Sequence, residues 1–138
     1  MGRTVGIDYG TRRVGLAVAD PLELFAQGHG TFSPDDAVSE LDSIAVTDGL
    51  DVVVIGWPLD PDTGEGPMTD RVQQYINRIA NRFPDAVIVK WDETNTSREA
   101  AERLLGSGAK RKKRREKGIL DRIAATIILQ EYLDAQKA

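Results

Sequence analysis

Carboxylate residues stand at three places where predicted strands or helices begin or end. Asp8 lies near the end of the first predicted strand, Asp92 and Glu93 follow the last one, and Asp121 lies in the first turn of the final predicted helix. In α/β sheets, functional side chains gather beyond the carboxyl ends of parallel strands. Aspartate is disfavoured within a strand, so Asp8 is a candidate for a functional residue. Asp121, taken alone, is more typical of an acid stabilised by the dipole at a helix N-terminus.

Asp8, Glu93 and Asp121 together would form a cluster of carboxylate ligands only. Three carboxylates within a few ångströms repel one another unless cations neutralise them. Their oxygens select Mg²⁺ or Mn²⁺. No set of cysteine or histidine ligands competes for a softer metal, because the chain has no cysteine and its single histidine, His29, is predicted in an exposed glycine-flanked loop. Two such ions about 4 Å apart can activate water and stabilise the leaving oxygen in phosphodiester hydrolysis. The pattern therefore predicts a two-ion site for this chemistry.

The elements that would position these acids follow from hydrophobic periodicity. Strands are predicted at residues 3–9, 14–18, within 23–32, 52–55 and 87–91, and helices at about 34–47, 69–83, 97–106 and 119–135. Three sequential strands can form an antiparallel meander, whereas strands separated by helices add in parallel. We therefore expect one α/β domain over residues 1–138, with a five-stranded mixed sheet flanked by helices, as in ribonuclease H-like folds.

Small residues would bring the final helix close to the first two strands. They alternate with apolar residues on those strands and recur in the helix: Gly6, Gly15, Ala17, Ala19, Ala124 and Ala125. Glycine in a strand often marks the close approach of another element. Packing of the helix on this face would move Asp121 toward Asp8.

The composition is that of an ordinary globular protein, with 41% hydrophobic and 29% charged residues. A chain of 138 residues can form one core but not two lobes. No apolar run approaches the roughly 20 residues that span a bilayer. The first residues show no signal-peptide pattern, so we expect a cytoplasmic protein without membrane contact.

Positive charge is concentrated in one segment although the formal net charge is −4. Residues 110–117 hold seven of the eighteen basic residues and one of the twenty-two acidic residues. Such asymmetry indicates either an anionic partner or a solvated loop that improves solubility. The run has no interleaved aromatic residues, so it is not expected to stack on bases.

Four ordered segments resemble the motifs of the YqgF/RuvX nuclease family and together span nearly the whole chain. They are GIDYGTRRVGLAVAD at residues 6–20, VVIGWPL at 53–59 followed by Gly64, DETNTS at 92–97, and KGILDRIAAT at 117–126. The resemblance implies a ribonuclease H-like fold and a metal-dependent endonuclease. It also implies that Asp8, Glu93 and Asp121 are the catalytic and metal-binding acids.

The resemblance favours nucleic acid as the partner of the basic run. Its residues would then contact the phosphate backbone: Lys110, Arg111, Lys112, Lys113, Arg114, Arg115 and Lys117. Thr94 stands where the family typically has arginine, and threonine cannot contact a phosphate bidentately. Arg98 or Arg13 would have to replace that contact. Trp57 is a candidate for base stacking and equally for a structural role.

The family is linked to two tasks that need the same chemistry on structured nucleic acid. The first, which we expect here, is maturation of the 5′ end of the small-subunit rRNA precursor, pre-16S rRNA. The alternative is resolution of four-way DNA junctions, whose paired cuts would call for a homodimer. A catalytically silent nucleic-acid-binding module is a second alternative. A kinase-like ATPase, which closes two lobes around its nucleotide, is excluded by the chain length.

Overall fold

Five strands form one mixed sheet at the centre of the protein. The computed structural model describes residues 2–58, 67–93, 103 and 113–137, and for residues 67, 93 and 113–117 it describes the backbone alone. The strands are β1 (Arg3–Tyr9), β2 (Val14–Ala19), β3 (Ala26–Phe32), β4 (Leu50–Pro58) and β5 (Val87–Glu93). Their order across the sheet is β3-β2-β1-β4-β5. Pairing is antiparallel within the β1–β2–β3 meander and parallel from β1 to β4 and from β4 to β5, which confirms the predicted mixed sheet.

Three helices are described: α1 (Pro34–Thr47), α2 (Pro67–Arg82) and α3 (Lys113–Lys137). Ser33 caps α1: its side-chain oxygen accepts a hydrogen bond from the backbone N–H of Asp36 at 3.1 Å. Gly49 follows α1 with a φ of +84°, a conformation that glycine adopts readily. The predicted helix at 97–106 lies outside the described residues apart from Arg103, and residues 59–66 are not described either.

The last helix begins six residues earlier than the prediction of residue 119, so part of the sequence interpretation is wrong. Lys113–Lys117 form its first residues rather than a loop, and Asp121 lies in the helix interior rather than in the first turn. Stabilisation of Asp121 by the helix dipole therefore does not apply, because that effect fades beyond the first turn. Lysine, arginine and glutamate form helices well but add no apolar period, so hydrophobic periodicity missed this part of α3.

Two hydrophobic clusters lie on opposite faces of the sheet. The larger cluster joins the sheet to α1 and α2, and includes Val5, Ile7, Leu16, Leu41, Ile55, Val72 and Ile79. The smaller cluster joins the other face to α3, and includes Ala17, Ala19, Val54, Ala125, Ile128, Leu129 and Leu133. Alternation along β1 and β2 therefore directs their large residues toward α1 and α2 and their small residues toward α3.

The hydroxyl of Tyr75 links α2 to the start of α1. It donates a hydrogen bond of 2.8 Å to the backbone oxygen of Pro34, and burial raises the pKa of Tyr75 above its ordinary value. No described helix is long and apolar enough to cross a membrane.

Candidate active site

Asp8 lies near the carboxyl end of β1, on the face of the sheet that α3 covers. Its neighbours in the strand, Ile7 and Tyr9, pack with the cluster on the other face. Two positions earlier, a side chain on Gly6 would meet α3, because a Cβ placed there would lie 2.7 Å from the Cβ of Leu129. Asp8 follows the same alternation, and only 3% of its surface is exposed. The first candidate ligand is thus held between a central strand and a helix.

Gly15 allows the backbone of α3 at Asp121 to come close to the strand pair that carries Asp8. It is the register partner of Asp8 on β2. A Cβ at Gly15 would overlap the backbone carbonyl of Asp121 and would lie 2.9 Å from the backbone nitrogen of Arg122. The backbone of α3 at Asp121 therefore rests directly on the strand pair that carries Asp8. Asp121 is 5% exposed, so two carboxylate residues are buried on one face of the sheet.

Glu93 is the last residue of β5, at the same end of the parallel strands as Asp8. Its backbone pairs with Pro58, and Gly56 pairs with Trp91 two residues earlier. β4 separates β5 from β1. The side chain of Glu93 lies outside the described part of the structure. Among the residues that the structure does describe, no three carboxylate or histidine residues form a group that could hold a metal ion. Convergence of all three acids stays a prediction.

Arg13 contacts Asp121 from the turn between β1 and β2. Its Nε donates a hydrogen bond to Oδ2 of Asp121 at 2.9 Å, across 108 positions of the sequence. The Arg13 side chain is 41% exposed and that of Asp121 is 7% exposed. The guanidinium thus compensates a buried carboxylate, while the side chain that carries it is partly exposed. The sequence predicted Arg13 as a phosphate contact, and its pairing with Asp121 was not anticipated.

The other predicted basic residues are described only in part. Arg98, Lys110, Arg111 and Lys112 lie outside the described residues. Lys113, Arg114, Arg115 and Lys117 belong to the first turns of α3, and only their backbone is described. Their helix is the one that carries Asp121.

Arg122 is a basic residue that the sequence reasoning missed. It directly follows Asp121 and is exposed. Its aliphatic stem packs over β3, since a Cβ placed at Gly28 would lie 2.9 Å from the Cγ of Arg122. Glycine at position 28 therefore provides the room in which this side chain crosses the edge strand. The signal in the sequence was a positive charge adjacent to a candidate acid, inside the last motif.

Trp57 and His29 make their contacts on the face of the sheet that α1 and α2 cover. Trp57 packs partly buried against the cluster under α1 and α2, and Nζ of Lys90 lies 4.2 Å from the centroid of its ring. This packing fits the structural interpretation of Trp57 better than base stacking beside Asp8. His29 lies in strand β3 rather than in the predicted loop. Its ring lies 3.1 Å from Oε2 of Glu40, and its side chain is exposed, as predicted.

The chemistry of the buried donors fits a hard divalent cation. Asp8 and Asp121 offer carboxylate oxygens, which are the ligands that Mg²⁺ and Mn²⁺ prefer. A buried carboxylate is costly unless positive charge or hydrogen bonds compensate it. Both residues are held by regular secondary structure, which keeps ligands in place better than a loop does.

Two solved structures share this fold at low sequence identity. RuvC of Thermus thermophilus, in complex with a Holliday junction substrate, aligns with a TM-score of 0.56 and 13% identity over 99% of this chain and 96% of that chain. The resolvase of fowlpox virus, in complex with Holliday junction DNA, aligns with a TM-score of 0.58 and 9% identity over 99% of each chain. These likenesses bear on the fold alone, and they confirm the predicted ribonuclease H-like architecture.

Sequence comparisons identify the family. Proteins assigned by name as pre-16S rRNA nucleases are similar over nearly their whole length. That of Prosthecochloris aestuarii is 44% identical over 132 residues, covering 96% of this chain and 93% of its own. That of Chlorobium luteolum is 44% identical, covering 99% of this chain and 96% of its own. That of Salinibacter ruber is 42% identical, covering 96% of this chain and 92% of its own. Residues 2–135 match the family described as "RuvX: Holliday junction resolvase". The chain therefore belongs to the RuvX family of nucleases.

Proposed function

We propose that this protein is a metal-dependent endonuclease that matures the 5′ end of pre-16S rRNA during ribosome biogenesis. The observation that carries the metal-dependent chemistry is the burial of Asp8 and Asp121 on the same face of the sheet, with α3 resting on the register partner of Asp8. The names of the similar proteins favour pre-16S rRNA as the substrate. A role in rRNA maturation would place the protein in the cytoplasm.

Asp8 and Asp121, together with Glu93, are the residues that would hold Mg²⁺ or Mn²⁺, and we propose two ions. A divalent cation held there supplies Lewis-acid stabilisation of the negative charge that develops during phosphodiester hydrolysis. The chain's own contribution is preorganisation: β1 fixes Asp8, and α3 together with the Arg13 guanidinium fixes Asp121. Groups held in this way need little reorganisation during the reaction.

The basic residues would bind the phosphate backbone of the substrate. The run at 110–117 continues into the helix that carries Asp121, so phosphates bound along it would pass close to the buried carboxylates. Contacts of this kind supply affinity and orientation but carry no sequence information. Recognition of the cleavage position would then come from the shape of the folded nucleic acid, which is common for structured RNA.

Resolution of four-way DNA junctions is the alternative, favoured by the description of the matching family. Paired cuts in a junction would call for two active sites and hence a homodimer. The test is cleavage of a pre-16S rRNA fragment and a synthetic four-way junction, side by side, with Mg²⁺, with Mn²⁺ and with EDTA. We expect cleavage of the RNA that depends on the metal and is lost in Asp8→Asn.

The outcomes of this test separate the candidate functions. Preferred cleavage of the junction, by a protein that is dimeric in solution, would replace the rRNA assignment with the resolvase assignment. Binding of both substrates without cleavage under any metal condition would identify a catalytically silent binding module. Cleavage that persists in EDTA would contradict the proposed metal dependence.

A further inference from the structure

The side chain of Arg13 contacts a buried carboxylate and is partly exposed to solvent. Its Nε donates to Oδ2 of Asp121 at 2.9 Å. Asp121 is almost fully buried, whereas the Arg13 side chain is 41% exposed. One nitrogen of the guanidinium is thus bound to the candidate site, while the side chain as a whole is partly exposed to solvent.

The way in which Arg13 meets its partner differs from a purely structural pair on the same molecule. Arg82 binds Asp42 with two bonds, from Nε at 2.9 Å and from Nη2 at 2.6 Å. Arg13 meets Asp121 through Nε. Within the described part of the chain, its two terminal nitrogens make no hydrogen bond to protein. A guanidinium carries five N–H groups in a rigid plane, so four of them lie on these terminal nitrogens.

We propose that Arg13 is a positioning residue that holds Asp121 through Nε and at the same time binds a substrate phosphate, next to the scissile bond, through its terminal nitrogens. This inference rests on the proposed nuclease function, which places the reacting phosphate beside Asp121. Two parallel N–H groups match two phosphate oxygens, a geometry that a lysine ammonium cannot reproduce. Arg13 would therefore align the phosphate and the carboxylate with one rigid group.

The position of Arg13 supports a phosphate as the ligand. It lies in the β1–β2 turn, at the end of the sheet where Asp8 ends the buried part of β1. Arg12, its neighbour in the same turn, is exposed and provides a matched control.

The first arm of the test examines the ion pair by thermal unfolding without divalent cations. It compares Arg13→Gln, Asp121→Asn, the double variant and Arg12→Gln. Arg13→Gln should lower the Tm by roughly 2–5 °C, since it leaves a buried carboxylate without its guanidinium. The same change should have little effect when Asp121 is already asparagine. Equal shifts in both backgrounds would show that the pair is not coupled and would overturn the positioning role.

The second arm examines the phosphate contact in EDTA, with Asp8→Asn as the background. Binding of a labelled single-stranded RNA and of duplex DNA is measured across a salt series. Arg13→Gln should reduce the magnitude of the log–log salt slope by about 0.7 for the RNA and about 0.9 for the DNA, as expected for one lost phosphate contact. An unchanged slope, or the same loss in Arg12→Gln, would overturn the phosphate contact.

Cleavage kinetics with the conservative variant complete the test. Arg13→Lys keeps the charge but cannot serve the carboxylate and the phosphate together, so kcat should fall at least roughly 10-fold. Arg12→Gln should retain kcat within a few-fold. If wild type shows no metal-dependent cleavage, the proposed function fails, while the melting and binding arms still report on Arg13. If wild type cleaves and Arg13→Lys is fully active, this inference alone fails.

Discussion

Replacement of Gly15 with alanine tests whether the contact between α3 and β2 positions the candidate site. The new Cβ would overlap the backbone carbonyl of Asp121 and would lie 2.9 Å from the nitrogen of Arg122, whereas ordinary contact begins at 3.4 Å. Both obstacles are backbone atoms, so no side-chain rotation can relieve the overlap. The helix itself would have to move away from the sheet by roughly 1 Å, because interiors are close-packed and leave no space for the added carbon.

The magnitudes follow from this displacement. Insertion of one carbon into a packed interface typically costs about 1–3 kcal/mol of unfolding free energy. The effect on catalysis should be larger, because a misplacement of about 1 Å can cost roughly 100-fold in rate. The shift would move Asp121 relative to Asp8, the register partner of residue 15. We therefore expect a folded but less stable protein whose metal-dependent cleavage falls by about two orders of magnitude.

Gly118→Ala is the matched control, since it adds the same atom to α3. A Cβ there would lie 3.9 Å from Thr31, an ordinary contact. Alanine in a helix interior is roughly 0.5–1 kcal/mol more favourable than glycine, so this variant should unfold at the same or a higher temperature and should keep its activity.

The assay combines thermal unfolding with single-turnover cleavage at saturating Mn²⁺ for wild type and both variants. Loss of activity in Gly15→Ala, with retention in Gly118→Ala, is the expected pattern. Wild-type cleavage by a well-folded Gly15→Ala protein would refute the reasoning. It would mean either that α3 does not rest on β2 at Asp121 or that Asp121 does not contribute to the reaction.

Three further predictions concern the carboxylate, the basic run and the helix packing. Asp8→Asn should lower the cleavage rate at least roughly 100-fold while the thermal unfolding transition stays cooperative. Activity within a few-fold of wild type at matched Mg²⁺ or Mn²⁺ would show that Asp8 is not a metal ligand. Alanine at all four positions 112–115 should weaken nucleic-acid binding and reduce the magnitude of its log–log salt slope by about 0.7–0.9 per lost phosphate contact. The rate of cleavage at saturating substrate should fall much less. Unchanged slopes on RNA and junction DNA would assign the run to solubility. Tyr75→Phe should lower the free energy of unfolding by about 0.5–1.5 kcal/mol, because it removes the hydrogen bond to Pro34. A denaturant titration measures this change. An unchanged midpoint would mean that water replaces the bond without loss.

Much of the fold could be predicted from local patterns along the chain. Alternation in β1 separates Val5 and Ile7 from Gly6 and Asp8, and the structure directs the two sets to opposite faces as expected. Ser33 and Gly49 mark the ends of α1 because capping and left-handed turns depend on residues that are close in sequence. Such features need only a few neighbouring residues to form, so they can be read without the tertiary structure.

The start of α3 could not be predicted in this way. Its first residues, Lys113–Lys117, are charged and carry no apolar stripe, so nothing in their pattern separates a helical turn from a solvated loop. The error had a consequence for the site, because it placed Asp121 at a helix N-terminus. The structure instead fixes Asp121 through the close approach of α3 to Gly15, a contact between parts of the chain far apart in sequence.

The sequence by itself determined the fold class and the family, and it nominated three acids as ligands. Only the tertiary structure decided that α3 seats Asp121 over the register partner of Asp8, that Arg13 binds Asp121, and that Arg122 crosses β3 over Gly28. The physical reason is distance along the chain. Periodicity and capping act over a few residues, whereas the ion pair of Arg13 and Asp121 joins positions 108 residues apart and exists only once the helix has packed on the sheet.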